Sequence, residues 1–334
     1  MRVTENSSYR LLQTNLQRIN KRLNTLYNQG ASGSKFNVAS DDPTAIRPVL
    51  TTRTQLRHTD RYLETMGVTA DKMESTDGHL NSVENVLQRA KELGLKAINS
   101  GLSSDDLNSI ADEIAEMRSE LLDSANATID GKYVFSGYQE NTKPFSANPN
   151  YDPATYDETD STTWPYTYNG DANPAKLEIS PGEYIDTTLT GNELFMGISN
   201  ANWVDGATAA SGQPEANHVD IFSVMTRLEE AVRAGNFTDE TGPGGGVQKQ
   251  TANLEVAANQ ERRLRSQMGV RAARVESSME HQEDVKNDLK QLLSRYQDTD
   301  AIENFNAIVQ QESALQAALN ITARVSEISI LDYL

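Results

Sequence analysis

The sequence predicts a mainly α-helical fold: a long helical bundle whose terminal helices pack together as a coiled coil, plus an inserted small β-rich domain. Three observations carry this. Apolar residues alternate at spacings of three and four near both ends of the 334-residue chain. Tyrosine, proline, asparagine and threonine concentrate between residues 146 and 215, where short extended runs replace the helical period. The apolar fraction of 37% is low for a single compact core and suits a helix-rich, elongated arrangement. The expected division is 1–42 with 297–334 as a terminal coiled-coil domain, 43–140 with 247–296 as a helical bundle, and 141–246 as the β-rich domain with a returning helix and Gly-rich linker.

Tyr9, Leu12, Leu16, Ile19, Leu23 and Leu26 are spaced 3, 4, 3, 4 and 3, which places a narrow apolar seam along one helix. Gly30 and Gly33 follow, and glycine readily takes the left-handed turn that ends a helix, so the helix is expected to stop near residue 29. Asp42 then precedes Pro43, the pattern of an N-cap acid with proline at the first helical position. Val49, Leu56, Leu63 and Ala70 recur every seven residues, and a further register follows in Leu80, Val83, Leu87 and Ala90. After the break "NSGLSSDD", Leu107, Ile110, Ile114, Met117 and Leu121 repeat the spacing 3, 4, 3, 4. These segments are read as antiparallel neighbours or one long interrupted pair.

In "IDGKYVFSGYQENTKPF", Asp130 and Gly131 signal a turn and Tyr133 to Phe135 read as strand. Further strands are expected at 166–168, 176–180 and 187–191. Ile221, Met225, Leu228 and Val232 mark a short amphipathic helix, and "TDETGPGGG" a flexible link. From Val247 the seam resumes through Leu254, Ala258, Met268, Ala272, Val275, Met279, Leu289, Leu293 and Tyr296, interrupted by Glu261, Arg265, Gln282 and Lys286. Roughly 50 helical residues would span about 75 Å. The last segment carries a broader apolar face with Ile308, Leu315, Leu319, Ile321, Val325 and Ile328, able to serve more than one neighbour.

The net charge of −18 is uneven. Residues 1–40 hold six basic groups against Glu5, residues 139–246 hold four against seventeen acids, and residues 299–334 hold Arg324 against five acids. Cations spread this thinly on an acidic chain argue against nucleic-acid binding. The basic end is expected to face the chain's own acidic end. No run approaches the roughly 18–20 apolar residues of a membrane span, so no membrane insertion is expected. The first 26 residues lack the apolar core of a secretory signal, so export would take another route. With no cysteine, disulfides, thiol catalysis and thiolate zinc sites are excluded.

The sequence points to no catalytic group, cofactor or metal site. Asp41 and Asp42 are neighbours, which on a helix diverge by about 100°, so a cap is favoured over a catalytic pair. His58, His79, His218 and His281 lack zinc-helix spacing, "GPGGG" lacks the ending of a phosphate loop, and "YDPATYDETD" lacks the pattern of a calcium loop. The methionines at 66, 73, 117, 268 and 279 fall at helical spacing and read as seam residues.

Four stretches together, "SGSKFNVASDDPTA", "DGKYVFSGYQENTKPF", "RRLRSQMGVRAARVES" and "QESALQAALNITARVSEISILDYL", resemble the flagellin superfamily, over roughly the first 145 and last 90 residues. The tyrosine-rich hairpin and the "DYL" ending are most similar to members at the junction of hook and filament. Ala272 and Ala273 depart from the family's usual larger apolar residue and amide, and Asn320 from a small apolar one.

The resemblance implies a non-enzymatic, secreted structural subunit of the bacterial flagellum. Such a subunit leaves through the type III export apparatus, meets an export chaperone, and forms a ring with copies of itself between hook-associated protein 1 and flagellin. It further implies that the terminal helices form an inner, axis-lining domain and the β-rich part an outer one. Leu12, Leu16, Ile19, Leu23, Leu26, Leu315, Leu319, Val325 and Ile328 would form the assembly interface. Gly33, Asn37, Ser40, Asp41, Asp42 and Pro43 would form the inter-domain connector. A filament flagellin is the nearest alternative; a coiled-coil sensor or adaptor is more distant, and a metal-dependent hydrolase lacks a convergent site.

Overall fold

The computed structural model describes residues 2–36, 38, 42–99, 101–203, 214–238 and 245–331, with backbone alone at 2–9 and 325–331. Among the described residues seven α-helices and six short strands follow one another: α1 (Arg2–Ser32), α2 (Pro43–Asn99), α3 (Ser104–Ala125), β1 (Thr128–Ile129), β2 (Lys132–Tyr133), β3 (Phe145–Ala147), β4 (Tyr166–Tyr168), β5 (Lys176–Ser180), β6 (Glu183–Asp186), α4 (Gly191–Leu194), α5 (Ile221–Arg233), α6 (Val247–Gln297) and α7 (Ala301–Leu331). The fold is mainly α with a small β-rich region. Two compact units divide it. One comprises Met1–Arg61 with Glu283–Leu334, the other Tyr62–Gln282.

In the first unit α1 packs along α7. Helix α1 runs to Ser32, three residues beyond the expected end, because Gly30 stays helical and the chain turns at Gly33, whose φ of 68° favours glycine. The residues between 43 and 99 form one helix, not an interrupted pair, and Pro48 sits inside it near its start. Its buried row differs from the apolar repeat in the sequence. Thr52, Thr59, Met66, Met73, Leu80 and Leu87 are buried at intervals of seven, whereas Leu56, Leu63 and Ala70 lie half-buried beside them. Two threonines therefore occupy seam positions that an apolar pattern does not flag.

In the second unit α3 starts with a capping box, in which the Asp106 amide donates to Ser103 Oγ and the Ser103 amide to the Asp106 carboxylate, each at 3.2 Å. Its Leu107, Ile110, Ile114, Met117 and Leu121 are all buried. Helix α5, against which α3 packs, is enclosed on nearly every side. Even Arg227 is buried, its guanidinium donating to Glu230 at 2.8 Å and to the Pro153 carbonyl at 3.1 Å, and lying over the Tyr156 ring.

The β-rich region is three separate two-stranded antiparallel sheets: β1–β2, β3–β4 and β5–β6. The first closes at Asp130 and Gly131, both left-handed (φ 54° and 76°). Strand β3 pairs Phe145 with Tyr168 and has no apolar alternation to announce it. The strand expected at 187–191 lies instead at Glu183–Asp186: the turn at Pro181–Gly182 returns the chain at once, and Gly191 opens α4. Aromatic side chains knit this region together. Phe145 stands 5.2 Å from Phe195 and 5.1 Å from Phe222 between ring centroids, and Phe135 meets Phe195 edge-on at 5.5 Å.

Helix α6 keeps its seam through the polar residues that interrupt the apolar repeat. Glu261 and Gln282 are buried, and Gln282 donates to the Ile179 carbonyl at 3.3 Å. Arg265 reaches Asp77 of α2 through two hydrogen bonds of 2.7 and 2.9 Å, and in the first unit Lys286 pairs with Asp60 at 2.7 Å. Tyr296, expected in the seam, is exposed, because the row there passes through Leu289 and Leu293. Met66, Met73, Met117 and Met268 are buried, as seam residues should be. Residues 239–244 of the Gly-rich link lie outside the described residues; its flanks are clasped by Val247 and Gln248 amides on the carbonyls of Asn236 and Phe237.

Candidate assembly surface

Two links position the terminal helices, and they are hydrogen-bonded to each other. The Lys35 amide donates to the Gln297 carbonyl at 2.7 Å, the Thr299 amide to Gly33 at 2.9 Å, and Lys35 Nζ to the Arg295 carbonyl at 3.0 Å. Phe36, next along the first link, is buried. Each following helix has an aspartate cap. Asp42 Oδ1 accepts from the amides of Thr44 and Ala45 at 2.9 and 3.0 Å, and Asp300 Oδ1 from those of Ile302 and Glu303 at 2.8 and 3.0 Å. The Thr44 hydroxyl, then these amides, hold the Asp42 carboxyl below its ordinary pKa. Gly33 thus makes the turn and Asp42 with Pro43 restarts the helix; Asn37, Ser40 and Asp41 lie outside the described residues.

Along α1, Leu23 is buried and Leu12, Leu16, Ile19 and Leu26 are half-buried. The less exposed face of α7 runs through Asn304, Ile308, Gln311, Leu315, Ala318 and Thr322, again at alternating fours and threes. Asn304 donates to the Leu26 carbonyl at 3.2 Å, and the Tyr27 hydroxyl donates to Glu312. That bond, ahead of burial, raises the Tyr27 pKa. The backbones of Val325 and Ile328 continue α7, but their side chains, like that of Tyr9, lie outside the described ones.

A second apolar row remains uncovered. Leu319 is 52% exposed, because the α7 seam passes through Leu315, Ala318 and Thr322 and leaves Leu319 to one side. Ile302 and Phe305 are 76% and 65% exposed, and Val309 and Ile321 are also open. The spacing of residues 302, 305 and 309 is the signal that sequence reasoning missed. Apolar surface of this kind, held on one helix, is open to cover by a further chain.

The charged groups are also left open. Arg10, Lys21 and Arg22 of α1 have no partner, and no ion pair joins α1 to α7 among the described residues. Among the described residues, the expected contact of basic with acidic groups is not made within the chain, because the seam turns Arg10, Arg18, Lys21 and Arg22 away from the partner helix; Glu312 is met instead by the Tyr27 hydroxyl. Elsewhere, Asp152, Asp157 and Asp160 each accept amides two residues on, at 2.9, 2.8 and 2.9 Å, so these acids shape local turns. His218 contacts Arg263.

Residues 3–140 match the family described as the bacterial flagellin N-terminal helical region. Flagellar hook-associated protein 3 of Escherichia coli is 24% identical over 87% of this chain and 86% of its own length. Flagellin D of Vibrio anguillarum is 20% identical over 89% of each. The crystal structure of flagellar hook-associated protein 3 from Legionella pneumophila superposes with a TM-score of 0.58 at 17% identity, over 74% of this chain and 98% of that one. The amino-terminal part of the chain thus matches the flagellin N-terminal helical region, and over most of its length the chain is similar to flagellar hook-associated protein 3.

Proposed function

We propose that this protein is a structural subunit of the bacterial flagellum that forms the junction ring between the hook, reached through hook-associated protein 1, and the flagellin filament. One observation carries the assembly mechanism: the uncovered row Ile302, Phe305, Val309 and Leu319 on α7, beside a seam that a single copy satisfies with α1. A neighbouring copy would cover that row. Because a head-to-tail contact presents two different surfaces, the open cations of α1 would meet Asp300 and Glu303 of the next copy, closing a ring by rotation.

Isolated helices of about this length are marginal in water. Ordering of Leu12, Leu16, Ile19, Leu23 and Leu26 against Leu315, Val325 and Ile328 would therefore be completed on assembly, when neighbours supply the remaining buried area. In this reading residues 1–42 with 297–334 form the inner, axis-lining part, 43–140 with 247–296 the surrounding bundle, and 141–246 the outer part. The hydrogen-bonded links at Gly33–Asp42 would orient one part on the next. The protein would leave the cell through the type III export apparatus, escorted by a chaperone, and would perform no catalysis.

The test is deletion of the gene with electron microscopy of the cells and an assay of flagellin in the same medium. Bare hooks with flagellin monomer accumulating in the medium are expected. Missing filaments without flagellin in the medium would make this chain the filament subunit, and normal flagella would contradict both readings.

A further inference from the structure

A cleft of about 210 Å³ lies wholly within the second unit, between α2, the β1–β2 hairpin and the β5–β6 hairpin. Its charge is opposite to that of the chain. Lys72, Lys132 and Lys176 line it against a single acid, Glu140, and that acid is paired with Lys132. Lys72 and Lys176 have no partner among the described residues. Two lysines without a partner among the described residues, lining one cleft of a chain of net charge −18, favour an anion there.

The hydroxyls refine the class of anion. Thr69 donates its proton to the Thr65 carbonyl at 2.8 Å, Thr76 to that of Lys72 at 2.8 Å, and Thr187 to that of Ala175 at 3.1 Å. A hydroxyl whose hydrogen is already committed offers lone pairs, so these three oxygens accept rather than donate. Thr188 Oγ1 accepts from the Ala175 amide at 2.8 Å and keeps its own hydrogen to give. Ile129, Val134 and Leu177 supply an apolar wall. The lining thus calls for a negative group toward the lysines, hydroxyl donors toward the threonines, and a compact carbon frame.

We propose that this cleft binds a small hydroxylated carboxylate, of which an acidic sugar is the type. The volume is below the roughly 300–1,000 Å³ of sites for drug-sized ligands and suits one sugar ring. The site does not depend on the flagellar role and would persist if that role were wrong.

Methyl-labelled full-length protein, titrated with D-galacturonate and followed by NMR, tests this, because Ile129, Val134 and Leu177 report from the wall itself. Saturable shifts of those three residues are expected, with at least tenfold weaker binding by the Lys72→Gln/Lys176→Gln variant. D-galactose and inorganic phosphate should each bind at least tenfold more weakly, since one lacks the charge and the other the hydroxylated frame. Digalacturonate binding as tightly as the monomer would assign the acidic end of a polysaccharide as the source, and binding of the monomer alone a free acid. Absence of saturable shifts, unchanged affinity in a double variant whose methyl spectrum shows it folded, or equal binding of galactose or phosphate would overturn the proposal.

Discussion

The amide of Lys35 donates to the carbonyl of Gln297 at 2.7 Å, joining two links that are more than 250 residues apart in sequence. With the Thr299–Gly33 bond beside it, this sets where α1 leaves and where α7 begins. Gly33 is the pivot, since its φ of 68° costs an L-residue roughly 1 kcal/mol or more. Gly33→Val should therefore destabilise the first unit by about 1–2 kcal/mol, seen as faster amide exchange at Lys35 and Thr299. Unchanged protection there would show that the turn does not organise the links.

Glu261 is fully buried on α6, and neither carboxylate oxygen has a hydrogen-bond partner among the described residues. Burial, then the negative charge of Glu84, pushes its carboxyl up to about 7, against the pull of Arg265 and Arg262. A carboxyl raised in the folded state costs stability where it is ionised. The penalty is absent below its unfolded value near 4.5, grows between the two, and is complete above about 7. Glu261→Gln should stabilise the protein on the order of 2–3 kcal/mol at pH 8 and little at pH 4.5. Denaturant midpoints of both proteins across this range decide it; a gain independent of pH would contradict it.

Tyr168 ties the "GKYVFSGY" stretch to the β-rich region, its hydroxyl lying 2.9 Å from the carbonyls of both Phe135 and Asp171. Tyr168→Phe removes the one proton these carbonyls share; Phe135 keeps the Gly191 amide at 2.8 Å while the Asp171 carbonyl loses this donor, so the change should cost about 1–3 kcal/mol. Gly137 sits against the same Asp171 at φ 69°, where an added methyl would overlap the Asp171 side chain and carbonyl. Gly137→Ala should destabilise at least as much. Thermal melts of the two variants and their combination should give less than the sum, since both act on one contact.

If the open cations of α1 serve assembly, then Lys21→Glu/Arg22→Glu should weaken it while leaving the monomer's melt within about 0.5 kcal/mol of wild type. Raising salt should weaken wild-type assembly in the same direction. Light scattering of the purified chain against salt checks both, and salt-insensitive assembly would remove the electrostatic part of the account.

The helices were legible because their seams are spaced in threes and fours: Leu107 to Leu121 in α3, Leu12 to Leu26 in α1, and the start of α6 at Val247 all read directly from the pattern. Polar residues inside a seam were not. Thr52, Thr59 and Gln282 are buried without breaking the helix, since each threonine or amide fits a seam that tertiary packing, not hydropathy, defines. Strand β6 was misplaced because the short turn at Pro181–Gly182 outranked the β-propensity of the threonines that follow. At the candidate surface the sequence marked the right helix. It could not tell which apolar residues of α7 face α1 and which stay open, because Leu315 and Leu319 are separated by the same four-residue step that defines a seam.

If the uncovered α7 row is an assembly surface, Leu319→Asp should block assembly while leaving the monomer's thermal melt unaltered, since Leu319 is already exposed. Produced in cells lacking the wild-type gene, the variant should be exported to wild-type levels yet leave bare hooks, with flagellin lost to the medium. Full-length filaments on cells making only Leu319→Asp would contradict the claim.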